Sequence, residues 1–127
     1  MSKHTQRTLK HYRDDGYICD VIERWIPIPS IPGGGKRKDW FGFADILGFR
    51  GSDVILIQSC GADYSKHKNT ILDNEVASKW AEWHKLELIC WRKVLKKRGG
   101  KQKIYKPRIG KFHLIHNQLE CLEIKGG

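Results

Sequence analysis

Apolar residues are most concentrated between residues 39 and 60, which read DWFGFADILGFRGSDVILIQSC. Two apolar runs, Phe41–Phe49 and Val54–Gln58, are separated by the polar segment Arg50–Asp53. Gly51 followed by Ser52 suits a two-residue type II′ turn, because the first central residue of that turn needs a positive φ. The pattern therefore predicts a β-hairpin in which Asp45 lies opposite Gln58.

Both faces of this hairpin are apolar, which is typical of central strands that are covered above and below. One predicted face holds Ala44, Ile46, Ile55 and Ile57, and the other holds Phe43, Leu47, Leu56 and Cys60. Asp45 and Gln58 share the second face. A carboxylate in such surroundings is costly unless it is hydrogen-bonded, paired or bound to a metal. Asp45 is therefore a candidate functional residue, and a hydrogen bond to neighbouring backbone or to a lysine is the structural alternative.

The remaining pattern predicts helices and strands on either side of the hairpin. Periodicity, β-branched residues and turn signals predict a helix over Thr5–Asp15 with Thr5 as its N-cap, a strand over Tyr17–Trp25, a helix over Asn69–His84, a strand over Leu86–Trp91, and closing strands over Phe112–Ile115 and Glu120–Ile124. In the second helix, Leu72, Val76, Trp80 and Trp83 recur at helical spacing as a core stripe, and Thr70 with Asp73 resembles a capping box.

These elements predict an α/β (α+β) fold with the order helix, three strands, helix, strand and a mixed central sheet. We expect one domain over residues 1–127, with a core over about 5–91 and a basic β extension over about 92–127. The first strand carries an acid on each face, Asp20 and Glu23, and the pattern leaves open which one faces Asp45.

The segment Ile26–Lys38 predicts an irregular loop, since it contains three prolines and three consecutive glycines. It ends in the cations Lys36, Arg37 and Lys38, just before the hairpin. A solvated linker and a flap that closes over phosphates are both compatible with this composition.

The charge balance favours a polyanionic partner. Lys and Arg number 24 against 14 Asp and Glu, which gives a net charge of +10, and such an excess is typical of nucleic-acid-binding proteins. Ten of the twenty residues from Arg92 to Lys111 are basic and none is acidic, and Gly99-Gly100 predicts a turn inside this segment. The residues predicted to contact nucleic acid are Lys36, Arg37, Arg92, Lys93, Lys96, Lys97, Arg98, Lys101, Lys103 and Lys106.

The spacing of the cysteines and the length of the apolar runs bear on the cellular compartment in which the protein is expected. The four cysteines form no C-x-x-C pair, so buried free thiols in a reducing cytoplasm are expected. No apolar run approaches the roughly 18 residues of a membrane span, and the first residues lack the apolar core of a signal peptide. The sequence therefore predicts a cytoplasmic protein without a membrane partner.

The order of elements and the hairpin residues resemble the core of the PD-(D/E)xK nuclease superfamily, which includes archaeal-type Holliday junction resolvases and many restriction enzymes. The resemblance covers about Thr5 to Trp91. In that pattern an Asp ends one central strand, and an acid and a Lys two residues apart lie on the next. Asp45 matches the Asp, with Ala44 in place of the Pro, while Gln58 matches the acid and Cys60 stands in place of the Lys. The stretches KDWFGFADILGF and ILIQS are most similar to a phage and bacterial subfamily with Gln-x-Ser/Thr at these positions.

This resemblance implies a metal-dependent DNA endonuclease that acts on branched or structured DNA as a homodimer, encoded by a phage and active in the host cytoplasm. Mg²⁺ or Mn²⁺ would be held by Asp45, the Gln58 side-chain oxygen and the Ser59 carbonyl, with Glu23 or Asp20 as a further ligand. Lys38 or Lys66 would replace the missing lysine, and His67 is either a proton carrier or a surface histidine. Two alternatives stay open: a catalytically inactive nuclease fold that binds DNA or RNA, and a basic structural RNA-binding protein.

Overall fold

A computed structural model describes residues 2–27 and 29–124 of the chain. The described residues form an α+β fold in which a mixed six-stranded sheet is accompanied by three helices and a two-stranded ribbon. The elements in chain order are α1 (Lys3–Asp14), β1 (Ile18–Val21), β2 (Arg24–Pro27), β3 (Gly35–Lys38), β4 (Ile46–Arg50), β5 (Asp53–Cys60), α2 (Tyr64–Leu72), α3 (Glu75–Ala81), β6 (Lys85–Leu95), β7 (Lys103–Ile115) and β8 (Gln118–Ile124). The predicted α+β class with a mixed sheet is confirmed.

The six-stranded sheet has the order β1-β4-β5-β6-β7-β8. Neighbouring strands are antiparallel except β5 and β6, which are parallel. Parallel neighbours need a crossover connection, and here it consists of α2 and α3. The cluster on the α1 face contains Leu9, Tyr12, Ile46, Ile55, Ile57 and Ile89, and the cluster on the α2–α3 face contains Phe43, Leu56, Ile71, Ala77, Leu86 and Leu88.

The central hairpin forms with the predicted register. Its pairs run from Ile46 opposite Ile57 to Arg50 opposite Asp53, and Gly51 has the expected positive φ of 60°. The ladder ends one residue before the predicted Asp45–Gln58 pair, because the Asp45 N–H donates to the Ile57 carbonyl at 3.1 Å. Asp45 therefore lies at the mouth of the hairpin, where its side chain can meet groups from other elements.

The strand predicted from Phe41 begins later, at Ile46. Residues 41–43 form a turn in which Phe41 and Gly42 have φ values of 54° and 81°. The turn also changes the face on which Ala44 packs. Ala44 lies in the cluster with Phe43 on the α2–α3 face, so its predicted position beside Ile46 is wrong.

The N-terminal helix begins earlier than predicted. Ser2, rather than Thr5, is the N-cap of α1, because its Oγ accepts the Thr5 N–H at 3.3 Å. The expected inner residues Leu9 and Tyr12 are buried. A helix that starts at Lys3 also adds His4 to its first turn, next to the end of β5.

The single strand predicted over Tyr17–Trp25 is divided into β1 and β2, which belong to different sheets. The Ile22 N–H donates to the Asp45 carbonyl at 2.9 Å, after which the chain leaves the main sheet. The loop predicted over Ile26–Lys38 is too long, since its two ends belong to β2 and β3, which form an antiparallel ribbon. Proline is tolerated at the end of an edge strand, and Pro27 occupies such a position opposite Gly35.

The helix predicted over Asn69–His84 is two helices. Asn74 begins the second one, because its Oδ1 accepts the N–H groups of Val76 at 2.8 Å and Ala77 at 3.2 Å. The capping box proposed for Thr70 and Asp73 is therefore wrong. The side chain of Trp83 is 82% exposed and does not belong to the core.

The C-terminal third agrees with the predicted basic hairpin and closing strands. β6 and β7 pair as far as Leu95 opposite Lys103, and Gly99 in the connection has a φ of 77°. The four cysteines are free thiols, and three of them are buried as expected, whereas Cys121 is half-buried. Among the described residues, no helix is long and apolar enough to cross a membrane.

Candidate metal centre and nucleic-acid surface

Three carboxylates meet at the mouth of the central hairpin. Glu23, Asp39 and Asp45 each offer an oxygen atom, and these oxygens all lie within 4.8 Å of one another. Glu23 lies between β1 and β2, directly before Arg24, while Asp39 follows β3 and Asp45 precedes β4. The exit of the chain from the main sheet after β1 and its return before β4 therefore bring the three acids together.

Asp45 is the most enclosed of the three, with 6% of its surface exposed. Burial raises the pKa of Asp45 to about 8, and the neighbouring Asp39 and Glu23 act in the same direction. The Ser59 N–H opposes this effect by donating to Asp45 Oδ1 at 3.1 Å. The Asp45 carboxylate is thus anchored on one oxygen but lacks enough compensating charge to ionise at its usual pH.

Asp39 is half-buried beside it. Burial raises the pKa of Asp39 and Glu23 adds to the rise, whereas His67 and a hydrogen bond from Gln58 lower this pKa. Gln58 is 5% exposed. Its amide nitrogen donates to Asp39 Oδ2 at 3.1 Å and to the Phe43 carbonyl, an orientation assigned from the two acceptors that it faces.

The structure brings Glu23 and Asp45 into one cluster with Asp39, and Gln58 joins it through Asp39. Gln58 serves there as a donor to Asp39, and its predicted role as an oxygen ligand stays a prediction. Of the two acids left open, Glu23 joins the cluster. Asp20 is exposed on β1 and accepts the Val21 N–H at 2.8 Å instead.

Ser59 contacts the carboxylate cluster through its backbone rather than through its side chain. Its N–H binds Asp45, while its Oγ lies 2.7 Å from Thr8 Oγ1 and faces α1. The Trp91 indole N–H also donates to Thr8 Oγ1, at 2.8 Å. This buried polar network fixes α1 against β5 and β6, and the predicted Ser59 carbonyl ligand stays a prediction.

The residues proposed to replace the motif lysine are exposed. Lys38 ends β3 next to Asp39, and Lys66 lies in the first turn of α2, inside the helix rather than before it. Cys60, at the position of the motif lysine, is 4% exposed. Burial raises the pKa of the Cys60 thiol, and Cys90 raises it further, so Cys60 stays a neutral thiol and cannot take the place of the lysine cation.

Two residues at this site were missed by sequence reasoning. Asp39 is brought back to the hairpin by the turn after it, in which the Gly42 N–H donates to the Asp39 carbonyl at 3.1 Å. His4 lies in the first turn of α1. Burial lowers the pKa of His4, the charge of Arg7 lowers it further, and Glu23 raises it. The sequence signals for them were an isolated acid beside a Trp and a histidine just before the predicted first helix.

The predicted nucleic-acid surface is a dense array of cations on β6, β7 and their connection. The exposed residues of this set are Arg92, Lys93, Lys96, Lys97, Arg98, Lys101 and Lys103, and Lys106 is half-buried. Arg92 lies directly opposite Lys106, and like charges in such a pair are destabilising. The array therefore favours an anionic partner, whereas the predicted contacts of Lys36 and Arg37 belong to side chains outside the described part of the structure.

Arg108 has a structural role within the same hairpin. Its guanidinium donates to Glu123 at 2.6 Å and lies 3.8 Å from the centre of the Tyr64 ring. On the other side of the sheet, Arg7 stacks on Tyr105 at 3.6 Å. Tyr105 is therefore already covered by a cation from α1, and stacking of a base on it would first require Arg7 to move.

No family model matches the chain, and no curated protein and no solved structure is significantly similar to it.

Proposed function

We propose that the protein is a metal-dependent endodeoxyribonuclease that hydrolyses phosphodiester bonds. The observation that carries the proposal is the convergence of Glu23, Asp39 and Asp45, whose oxygens lie within 4.8 Å of one another. Anionic groups held this close are costly unless a cation compensates them. Oxygen ligands of this kind suit Mg²⁺ or Mn²⁺, so we assign the three carboxylates to one divalent ion.

The topology supports a nuclease fold of the PD-(D/E)xK type. In the main sheet, β1, β4 and β5 are antiparallel neighbours, and β6 follows through α2 and α3 as a parallel neighbour of β5. α1 covers the opposite face. Together with Asp45 beside β4 and Gln58 on β5, this order is the one that the sequence resemblance implies.

The residues have separable chemical roles in this proposal. Asp45, Asp39 and Glu23 would hold the ion, which would supply Lewis acidity at the phosphodiester. Gln58 keeps Asp39 in place through its amide N–H. His4 and His67 border the carboxylates and can accept or donate protons, and Lys38 or Lys66 can stabilise negative charge that develops on the phosphate.

The substrate and partners follow from the charge distribution and from the resemblance. The basic hairpin of β6 and β7 would contact the DNA backbone, and counterion release would supply much of the affinity. Branched DNA as a substrate, a homodimeric state and a phage-encoded protein in the host cytoplasm belong to the proposal because the resemblance implies them.

Nicking of supercoiled plasmid in Mg²⁺ or Mn²⁺ tests the activity. We expect wild-type protein to nick and Asp45→Asn to lose cleavage by at least about two orders of magnitude, because an amide cannot replace the anionic ligand. DNA binding should be retained, since the phosphate contacts lie on other residues. Asp20→Asn is the matched control, because it removes an exposed acid outside the cluster, and it should cleave like wild type.

Linear duplex, single-stranded and four-way junction DNA extend the same assay. Equal nicking by wild type and Asp45→Asn would locate the activity elsewhere or in a contaminant. An absence of cleavage on all substrates would favour the second candidate, an inactive nuclease fold that binds DNA or RNA. That candidate is favoured by Gln58 and by the buried neutral Cys60 at the two motif positions that usually carry charge.

A further inference from the structure

An exposed pair of aromatic rings lies in the turn that directly follows Asp39. Trp40 and Phe41 are 37% and 49% exposed. Their ring centroids are 4.5 Å apart with an interplanar angle of 39°. Two large rings that remain accessible beside a cluster of carboxylates do not contribute much to the core.

The backbone at Phe41 is held in a conformation that phenylalanine rarely adopts. Its φ of 54° lies in the left-handed region, and Gly42 follows with a φ of 81°. Strain of this kind persists only where surrounding contacts enforce it, and it is enriched at ligand sites. The sequence pattern alone gave no sign of it, because it predicted a strand across this segment.

Several contacts enforce this turn. The Trp40 N–H donates to the Ala44 carbonyl at 2.6 Å, and the Asn74 side chain donates to the Phe41 carbonyl at 3.0 Å. Asn74 is also the N-cap of α3. Trp80 packs edge-on against Trp40, with ring centroids 6.5 Å apart. The ring of Phe41 is therefore presented by a rigid support rather than by a free loop.

We propose that Trp40 and Phe41 form a stacking platform for an unpaired base of the nucleic acid next to the cleaved phosphodiester. This inference rests on the proposed function, because the carboxylate cluster defines where the phosphodiester lies. A net charge of +10 favours nucleic acid over an apolar protein surface as the occupant. Aromatic rings bind unstacked bases of any sequence, whereas bases inside a continuous duplex have no free face to offer.

The consequence is a preference for substrates with unpaired nucleotides. A single strand and a duplex with one bulged nucleotide both supply an unstacked base, and a continuous duplex of the same sequence does not. The platform would add affinity for the first two without adding to the electrostatic binding that all three share.

Equilibrium binding of labelled oligonucleotides in EDTA tests the platform without cleavage. We expect Phe41→Gly to weaken binding of the single strand and of the bulged duplex by roughly 5- to 150-fold. Binding of the continuous duplex should be unchanged. Glycine tolerates the left-handed conformation, so this variant removes the ring while relieving the backbone, and its melting temperature should not fall.

Matched variants separate stacking from other effects. Phe41→Trp keeps a ring and should retain the preference for unpaired bases. Trp83→Ala removes a more exposed ring, which lines a pocket with Ser52 and Asp53 at the opposite end of the hairpin, and it should bind like wild type. A loss on the bulged duplex similar to that on the single strand supports the platform, because one extruded base is then sufficient. A bulged duplex that behaves like the continuous duplex would overturn the inference of a platform for unpaired bases.

Equal losses on all three nucleic acids, or no loss on any, would overturn the platform. A dimeric wild type and a monomeric Phe41→Gly variant with the same binding preference would also overturn the platform. The two rings would then form a contact between copies of the chain. Failure of cleavage with an intact binding preference would instead contradict the nuclease proposal alone, so the two failures are distinguishable.

Discussion

At the scale of single residues, we expect Gln58 to determine how strongly the proposed metal site holds a cation. Its amide N–H groups bind the Asp39 carboxylate and the Phe43 carbonyl, so it stabilises the metal-free site as a neutral donor. A glutamate at this position would add a fourth anionic oxygen ligand near the ion but would remove both donors. In the proposed metal site, the native amide should therefore favour stability of the metal-free form over tight binding of the ion.

We accordingly expect Gln58→Glu to bind Mg²⁺ or Mn²⁺ more tightly, by roughly tenfold, because affinity rises with the number of charged ligands. Cleavage should increase if metal occupancy limits the wild-type rate. Without metal, the variant should be less stable by about 1–3 kcal/mol, since a buried carbonyl loses its donor and a further charge is added. Isothermal titration with Mn²⁺ and thermal unfolding in EDTA measure the two effects. Weaker metal binding by Gln58→Glu would mean that this side chain points away from the ion.

The residues of the site differ in how far the sequence revealed them. Asp45 could be predicted because an acid in an apolar strand is costly without a partner. Asp39 could not, since its position depends on a turn with a left-handed Phe41 that no local preference favours. The choice of Glu23 over Asp20 required the break after β1, which alternation within one continuous strand cannot show.

At the scale of elements, the hairpin of β6 and β7 should provide the electrostatic part of nucleic-acid binding. With about six phosphate contacts, raising the salt concentration from about 50 to 200 mM should weaken binding by roughly a thousandfold. Replacing Lys96, Lys97 and Arg98 with Gln should make the negative slope of log affinity against log salt shallower by up to about 2.7. This corresponds to about 0.9 for each phosphate that is no longer neutralised. Fluorescence anisotropy at several salt concentrations measures the slope.

A triple variant of equal charge change is the control for this measurement. Lys3, Lys10 and Lys79 lie on helices rather than on the hairpin, and their replacement with Gln should change the slope much less. An equal change in both triple variants would indicate that only the net charge matters. A binding constant that is insensitive to salt would contradict the proposed phosphate contacts altogether.

Strands joined by a turn with a clear sequence signal were predicted together with their register. Elements whose bounds depend on contacts with distant parts of the chain were not. Gly51-Ser52 fixes the register of β4 and β5 through the φ that the turn requires. Proline and glycine in residues 26–38 are compatible with a loop and also with the ends of a two-stranded ribbon, so composition could not separate them. Asn74 ends one helical run and caps the next, although the apolar spacing continues across it.

At the scale of the whole molecule, binding of a cation should be linked to folding. Burial raises the pKa of Asp45 to about 8, whereas an unfolded Asp titrates near about 4. A raised pKa contributes stability that is fully present below the unfolded value and is lost as the pH rises through the folded value. In EDTA, the melting temperature of the wild type should therefore decrease between about pH 4 and pH 8 through this group.

A divalent ion should reverse this loss, because it compensates the three carboxylates and binds only the folded site. At a concentration of about 100 times Kd, a ligand adds about 2.7 kcal/mol to the free energy of unfolding. For a chain of this size, that corresponds to a rise in melting temperature of roughly 10 °C. Differential scanning calorimetry at about pH 8 with Mg²⁺ or Mn²⁺, against EDTA, measures the rise.

The variant Asp45→Asn tests whether the metal-induced rise in melting temperature comes from an ion bound at the three carboxylates. The variant lacks the buried charge, so in EDTA at pH 8 it should melt at a higher temperature than wild type. Its melting temperature should also lack the decrease between about pH 4 and pH 8 that Asp45 causes in wild type. It should also gain little from the metal, whereas Asp20→Asn should respond like wild type because that side chain is exposed outside the cluster. The same metal-induced rise in wild type and Asp45→Asn would assign the ion to other ligands. A wild-type melting temperature that no divalent ion changes would remove the physical basis for a metal at Glu23, Asp39 and Asp45, since an ion that binds only the folded form must stabilise it.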